Sequence, residues 1–118
     1  MFEEIFNGRY EALNLLVPPV DMRLGIDGLS IKVRELSGSS LHFGEAYIFS
    51  NRTRTRIKLI FWDDNGAVLL NRRLHHGSFV WPKTKEPIYK IEQQLWPYFW
   101  MGMDWQRLLK TSKTECVL

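Results

Sequence analysis

Asn51-Arg52-Thr53-Arg54-Thr55-Arg56-Ile57-Lys58-Leu59-Ile60-Phe61-Trp62-Asp63-Asp64-Asn65-Gly66-Ala67-Val68-Leu69-Leu70-Asn71-Arg72-Arg73-Leu74-His75-His76 is two alternating runs around an Asn-Gly pair. Asn65-Gly66 supplies the two φ > 0 positions that a tight type I′ turn needs, and both flanks are rich in β-branched, aromatic and aliphatic residues, so the stretch predicts a β-hairpin. It holds six Lys/Arg against two acids, a net +4. Of the chain's 16 bases and 13 acids that leaves ten and eleven, a net of −1. The excess positive charge of the protein therefore lies in this hairpin.

Side chains alternate faces along a strand, so the register decides which face carries the charge. With Asn65 and Gly66 as the whole loop, Phe61 faces Leu70, Ile57 faces Leu74 and Leu59 lies between them, a core side. The other side shows Arg54, Arg56 with His75, Lys58 with Arg73, Ile60 with Asn71 and Trp62 with Leu69. A three-residue loop would put Arg72 there in place of Arg73. Like charges directly opposite each other destabilise a sheet, which points to a ligand for the stripe. A two-stranded ribbon fits the major groove of DNA, and Arg52, Arg54, Arg56, Lys58, Arg72 and Arg73 would neutralise phosphates. Trp62 and His75 could stack on an unpaired base or lie along a sugar. The plainer alternative is a sheet face kept soluble by its charge.

At 118 residues the chain predicts one domain, 1–118, with 1–12 and 106–118 loosely held. Cys116 is the single cysteine, which excludes an internal disulfide framework and fits a reducing compartment. Met1-Phe2-Glu3-Glu4-Ile5 is acidic where a signal peptide is basic, and no apolar run approaches the roughly 20 residues of a membrane helix. The expectation is a soluble, cytoplasmic protein with no membrane partner.

Leu13, Leu15, Leu16 and Val17 predict a short strand ended by Pro18-Pro19. Met22, Ile26, Leu29, Val33 and Leu36 recur at helical spacing, predicting an amphipathic helix from Asp21 to Leu36 with Asp21 as N-cap. Gly25 and Gly28 within it imply close approach of another backbone, and Ser37-Gly38-Ser39-Ser40 ends it. Glu45 to Ser50 predicts a strand. With Asn51-Arg52-Thr53 as its loop, Tyr47 falls opposite Ile57, joining Tyr47 and Phe49 to the core side. Ser78 to Pro82 predicts a short edge strand, 83–87 a loop, and Ile91 to Met101 a helix kinked at Pro97.

Several strings together resemble the small TnpB-type accessory protein, the second open reading frame, of the insertion-sequence-66 family of bacterial transposons. They are Asp21-Met22-Arg23 with Gly25 and Asp27-Gly28-Leu29, Phe49 with Asn51-Arg52, and Arg56-Ile57-Lys58-Leu59 with Trp62-Asp63. Gly66, Arg73-Leu74, Gly77 with Phe79, Trp81-Pro82, and Gly102 with Asp104-Trp105 complete the set. Arg72 stands where the family commonly has Lys, and the segment after residue 83 departs from the pattern. The resemblance spans about Val17 to Trp105. It implies a protein encoded beside a separate, larger transposase and needed for efficient transposition, with no catalytic residues to carry over. The partners it implies are DNA at the transposon ends, the transposase and the other accessory proteins.

Other chemistry finds little footing. Two-metal nucleases gather three or four carboxylates, but Asp21, Asp27, Asp63, Asp64 and Asp104 form no ligand motif. His75 and His76, adjacent on a strand, point to opposite faces. Cys116 has no fixed base beside it, and no cofactor motif is present. The aromatic block containing Trp96, Tyr98, Phe99 and Trp100 is read either as core or as an anchor for a partner protein. The combined expectation is an α+β fold: an antiparallel meander of three or four strands, the amphipathic helix on its apolar face and a kinked C-terminal helix beside it. That helix would leave the basic face free. The function expected is a non-catalytic DNA-binding accessory factor, with a transposase-recruiting adaptor as alternative and a small metal-dependent nuclease as a remote one.

Overall fold

Residues 57–61 are buried without a break, which is the mark of a strand covered on both faces rather than of one with a wet side. The computed structural model describes residues 12–38 and 44–109. In chain order they form β1 (Ala12–Leu16), α1 (Ile26–Ser37), β2 (Glu45–Ser50), β3 (Arg56–Trp62), β4 (Ala67–Arg73) and β5 (Ile88–Ile91). A 3-10 turn (Gln93–Leu95) and α2 (Trp96–Trp100) follow. The sheet order is β4-β3-β2-β1-β5. β2, β3 and β4 form the expected antiparallel meander, but β1 joins β2 in parallel and β5 joins β1 antiparallel. The fold is α+β, and its sheet is five-stranded and mixed. A parallel pair needs a crossover connection, and α1 supplies it.

Each face has its own core. On one, Leu29 and Val33 of α1 pack with Leu16, Tyr47, Phe49 and Ile60. On the other, Leu13, Leu15, Ala46, Ile48, Ile57, Leu59 and Phe61 meet Phe79, Trp81, Ile91, Leu95, Trp96, Phe99 and Trp105. The helix thus lies on the side carrying Lys58, Ile60 and Trp62, not on the side of Ile57, Leu59 and Phe61. The sequence expectation of a free basic face is corrected. The C-terminal aromatics claim the Ile57 side, and the apolar half of the other side takes the helix.

Two loops set these faces. Between β2 and β3 the pairing is Tyr47 with Ile60 and Ser50 with Ile57, not Tyr47 with Ile57. The loop is 51–55, held by the Asn51 side chain, whose Oδ1 accepts from the amides of Thr55 and Arg56 at 3.0 and 3.1 Å. Arg54 makes the bend with a left-handed φ of 60°. An odd change of register turns a strand over, so Tyr47 and Phe49 join the helix side. Between β3 and β4, Trp62 pairs with Ala67 and the loop is 63–66. Asp63 Oδ1 accepts from the amides of Asn65 and Gly66, each at 2.9 Å, an Asx-type turn that replaces the type I′ turn. This register slips by an even number, so the faces of β4 stay as read and Arg73 shares a face with Arg56.

Helix α1 starts at Ile26 with Gly25 at the N-cap position. Asp21 instead closes the turn before it, accepting from the Arg23 amide at 2.9 Å. At Gly28 an added Cβ would lie 2.8 Å from Leu24 Cδ2, so the close neighbour is a side chain folded back over the helix start. Gly38 ends the helix in the left-handed conformation, its amide bonded to Arg34 O.

Residues 78–82 are irregular rather than an edge strand, tied in through Phe79 N to Arg54 O at 2.7 Å and Trp81 Nε1 to Leu16 O at 3.0 Å. Pro97 sits in the first turn of α2, where a missing N–H costs nothing, so it starts a short helix and does not kink a long one. Ala12 belongs to β1, and residues 105–109 are helical with Leu108 and Leu109 against the core. The rest of the two termini expected to be loose, 1–11 and 110–118, lies outside the described residues.

Candidate nucleic-acid interface

The six bases of the hairpin divide into two groups. Three are tied into the fold. Arg54 lays its guanidinium 4.7 Å from the centre of the Trp81 ring and donates from Nη2 to Val17 O at 2.7 Å. Its partial burial lowers its pKa from the ordinary arginine value. Lys58 is 9 % exposed and donates from Nζ to Leu24 O at 2.8 Å, on the loop that enters α1. Arg72 lies on the opposite face, 4.7 Å from the Trp100 ring centre, with Nε donating to Trp100 O at 2.9 Å. A cation over an indole whose N–H donors also reach a carbonyl is a structural clamp between segments.

Arg52, Arg56 and Arg73 are exposed. Arg56 and Arg73 are direct cross-strand partners, and Arg52 stands in the 51–55 loop beside them. Leu74 N bonds Thr55 O at 3.0 Å, which brings the end of β4, and with it exposed His75 and His76, to the same end of the sheet. The geometry therefore gathers Arg52, Arg56, Arg73 and His75 and leaves Arg54, Lys58 and Arg72 to packing. Neither Arg56 nor Arg73 forms an ion pair among the described residues.

Trp62 is not part of that cluster. It lies at the far end of β3, six residues or about 20 Å from Arg56 at strand rise. Half buried, its ring meets Tyr47 edge-on with centroids 6.0 Å apart. It also borders an open cavity of about 350 Å³ with Ile26, Asp27, Ser30, Ile31 and Arg34. The sequence reading took that helix only for its apolar stripe; the polar side of one turn, Asp27, Ser30 and Arg34 at spacings of three and four, was the signal it left unused.

In the aromatic block, Trp96 and Phe99 are core residues, stacked on each other at 5.1 Å. Tyr98, Met101 and Met103 are exposed, with Trp100 half buried beside them. Trp105 is fully buried and donates from Nε1 to Val80 O at 2.8 Å. Asp63 serves its turn, and Asp27, Asp64 and Asp104 are exposed. Asp21 binds the Arg23 guanidinium at 2.8 Å. That side-chain bond, with the Arg23 amide, lowers the Asp21 pKa to about 2. Among the described residues no three His, Cys, Asp or Glu side chains converge as metal ligands, and no helix is long and apolar enough to cross a membrane.

No solved structure matches the chain. An uncharacterized protein of Sinorhizobium fredii (strain NBRC 101917 / NGR234), y4hO, is 31 % identical over 91 residues, which cover 77 % of this chain and 79 % of that protein. A second from the same organism, y4jC, is 28 % identical over 90 residues, covering 76 % and 77 %. The family model described as IS66 Orf2 like protein matches residues 11–110. That span takes in every described strand and helix and the Arg56–Arg73 pair, and the chain belongs to the IS66 Orf2-like family.

Proposed function

We propose that this protein is a non-catalytic accessory factor of transposition that holds nucleic-acid phosphates at one end of its sheet. Arg52, Arg56 and Arg73 are the contacting groups, with His75 beside them. The observation that carries the reading is the Arg56–Arg73 pair: two exposed cations set opposite each other on adjacent strands. Such a pairing costs stability in the free protein and is relieved when a phosphate takes both. Arg54, Lys58 and Arg72 support the site from behind by fixing the 51–55 loop, the strand and the edge.

The test is retardation of labelled transposon-end and scrambled duplexes by the purified protein, its Arg56→Glu/Arg73→Glu variant, and a magnesium lane that reports cleavage. Binding by the parent and none by the variant, with matching circular dichroism and no cleavage, is the expected result. Equal binding by both proteins refutes the site.

A second reading has its own observation. Tyr98, Met101 and Met103 form an exposed apolar group at the end of α2, suited to a protein partner such as the transposase. If Met101→Lys/Met103→Lys abolishes capture by the transposase and the arginine variant does not, the adaptor reading stands in place of the first.

A further inference from the structure

The two edges of the sheet are unlike. β5 is four residues long, follows Pro87, and carries exposed Lys90 paired with Glu45 at 3.5 Å. Those are the devices by which proteins blunt an edge. β4 is seven residues long, its pairing with β3 is unbroken over all seven, it has no Pro or Gly, and Ala67 to Asn71 are uncharged. Among the described residues nothing pairs with its outer side.

The hydrogen-bond phase of β4 says which groups face outward. Asp63 N to Gly66 O and Leu74 N to Thr55 O continue the β3–β4 register just beyond its two ends. Antiparallel partners alternate between bonded and non-bonded pairs. Val68, Leu70 and Arg72 therefore turn their main-chain groups toward β3, and Ala67, Leu69, Asn71 and Arg73 turn theirs outward.

The charges around this edge choose its occupant. Exposed Asp63 and Asp64 lie at its start, and Arg73, His75 and His76 at its end. An antiparallel second copy sets the acidic end of each strand against the basic end of the other, twice by symmetry, whereas a parallel copy sets like against like. Such self-complementarity is what a two-fold interface requires.

We infer that the outer edge of β4 pairs with the same edge of a second copy of this chain, antiparallel and centred on Leu70, to make one continuous sheet. In that register Leu69 lies opposite Asn71 and Ala67 opposite Arg73, so outward-facing groups meet outward-facing groups along the seam. Leu70 meets its own copy, and Asp64 comes beside His76 of the other chain. A two-fold axis through the sheet keeps both Arg56–Arg73 pairs on one side, their Arg73 residues about 20 Å apart by strand rise.

The test needs no nucleic acid, so it stands or falls independently of phosphate binding. Sedimentation velocity from low micromolar to several hundred micromolar should show a mass rising from 14.0 kDa toward twice that. Asn71→Pro removes an outward N–H without touching the bonds to β3 and should stay monomeric with its circular dichroism retained. His76→Glu sets a carboxylate beside Asp64 of the other chain and should weaken association at least tenfold, and adding Asp64→Lys to it should restore the pairing by reversing both partners. A parent protein that is monomeric throughout overturns the inference, including when it captures a strand of another protein at β4. So does a dimer indifferent to both Asn71→Pro and His76→Glu.

Discussion

The Arg54 guanidinium stacks 4.7 Å from the centre of the Trp81 ring while it bonds the carbonyl of Val17 at 2.7 Å. Trp81 itself donates to Leu16 O, so one residue pair fastens the irregular 78–82 segment and the β2–β3 loop to the end of β1. Arg54→Ala should lower stability by about 2–4 kcal/mol, the loss of a charge-assisted hydrogen bond and a cation–π contact. Arg54 also has a φ of 60°. Arg54→Gly, relieved of the left-handed penalty, should therefore be less damaging than Arg54→Ala by about 1 kcal/mol. Urea unfolding of the two variants checks both values and their order.

Salt dependence follows from how many bases are free. Three phosphate contacts, at Arg52, Arg56 and Arg73, give a slope of log affinity against log salt of about −2.7, or about 40-fold between 50 and 200 mM. Six contacts would give about 10³-fold or more over the same range. A fluorescence-anisotropy salt series distinguishes the two, and the steeper slope would return Arg54, Lys58 and Arg72 to the ligand.

Trp105 anchors the C-terminal segment, fully buried with its indole N–H on Val80 O. Trp105→Ala should cost about 3–5 kcal/mol. Trp105→Phe should cost about 1–3 kcal/mol, chiefly from the carbonyl left without its donor. Thermal unfolding followed by near-ultraviolet circular dichroism reports both.

The Asp21 carboxyl, bonded to the Arg23 guanidinium and amide, should titrate near pH 2 in a carbon-detected NMR experiment, below its ordinary 3.8. The folded-state value is depressed, so what this contact adds to stability is complete above pH 3.8 and lost as pH falls through about 2. Arg23→Ala should return the midpoint toward 3.8.

The strands β2 and β3 were legible in the alternation of Glu45 to Ser50 and Arg54 to Trp62, and α1 in the spacing of Ile26, Leu29, Val33 and Leu36. Their pairing was less so. Asn51 bonding forward to Thr55 and Arg56 widens the loop by two residues, and that side-chain choice turned Tyr47 and Phe49 to the other face. β5 was missed because Ile88-Tyr89-Lys90-Ile91 is too short to show a period and its pairing partner β1 is more than 70 residues away. The candidate site was legible as a charge cluster but not as a list. Nothing in the alternation of Arg54, Arg56 and Lys58 tells which cation finds a carbonyl or an indole within the same chain, and three of the six did.

The place of β1 in the sheet has a consequence for the order of folding. It lies between β2, with which it is parallel, and β5. The β3–β4 hairpin can close locally, but β1 keeps one bare side until residues 88–91 are in place. The sheet therefore stays unfinished until a segment more than 70 residues further along the chain is paired. Folding to the native state waits on this one remote pairing, making it slower than the short hairpins alone would allow.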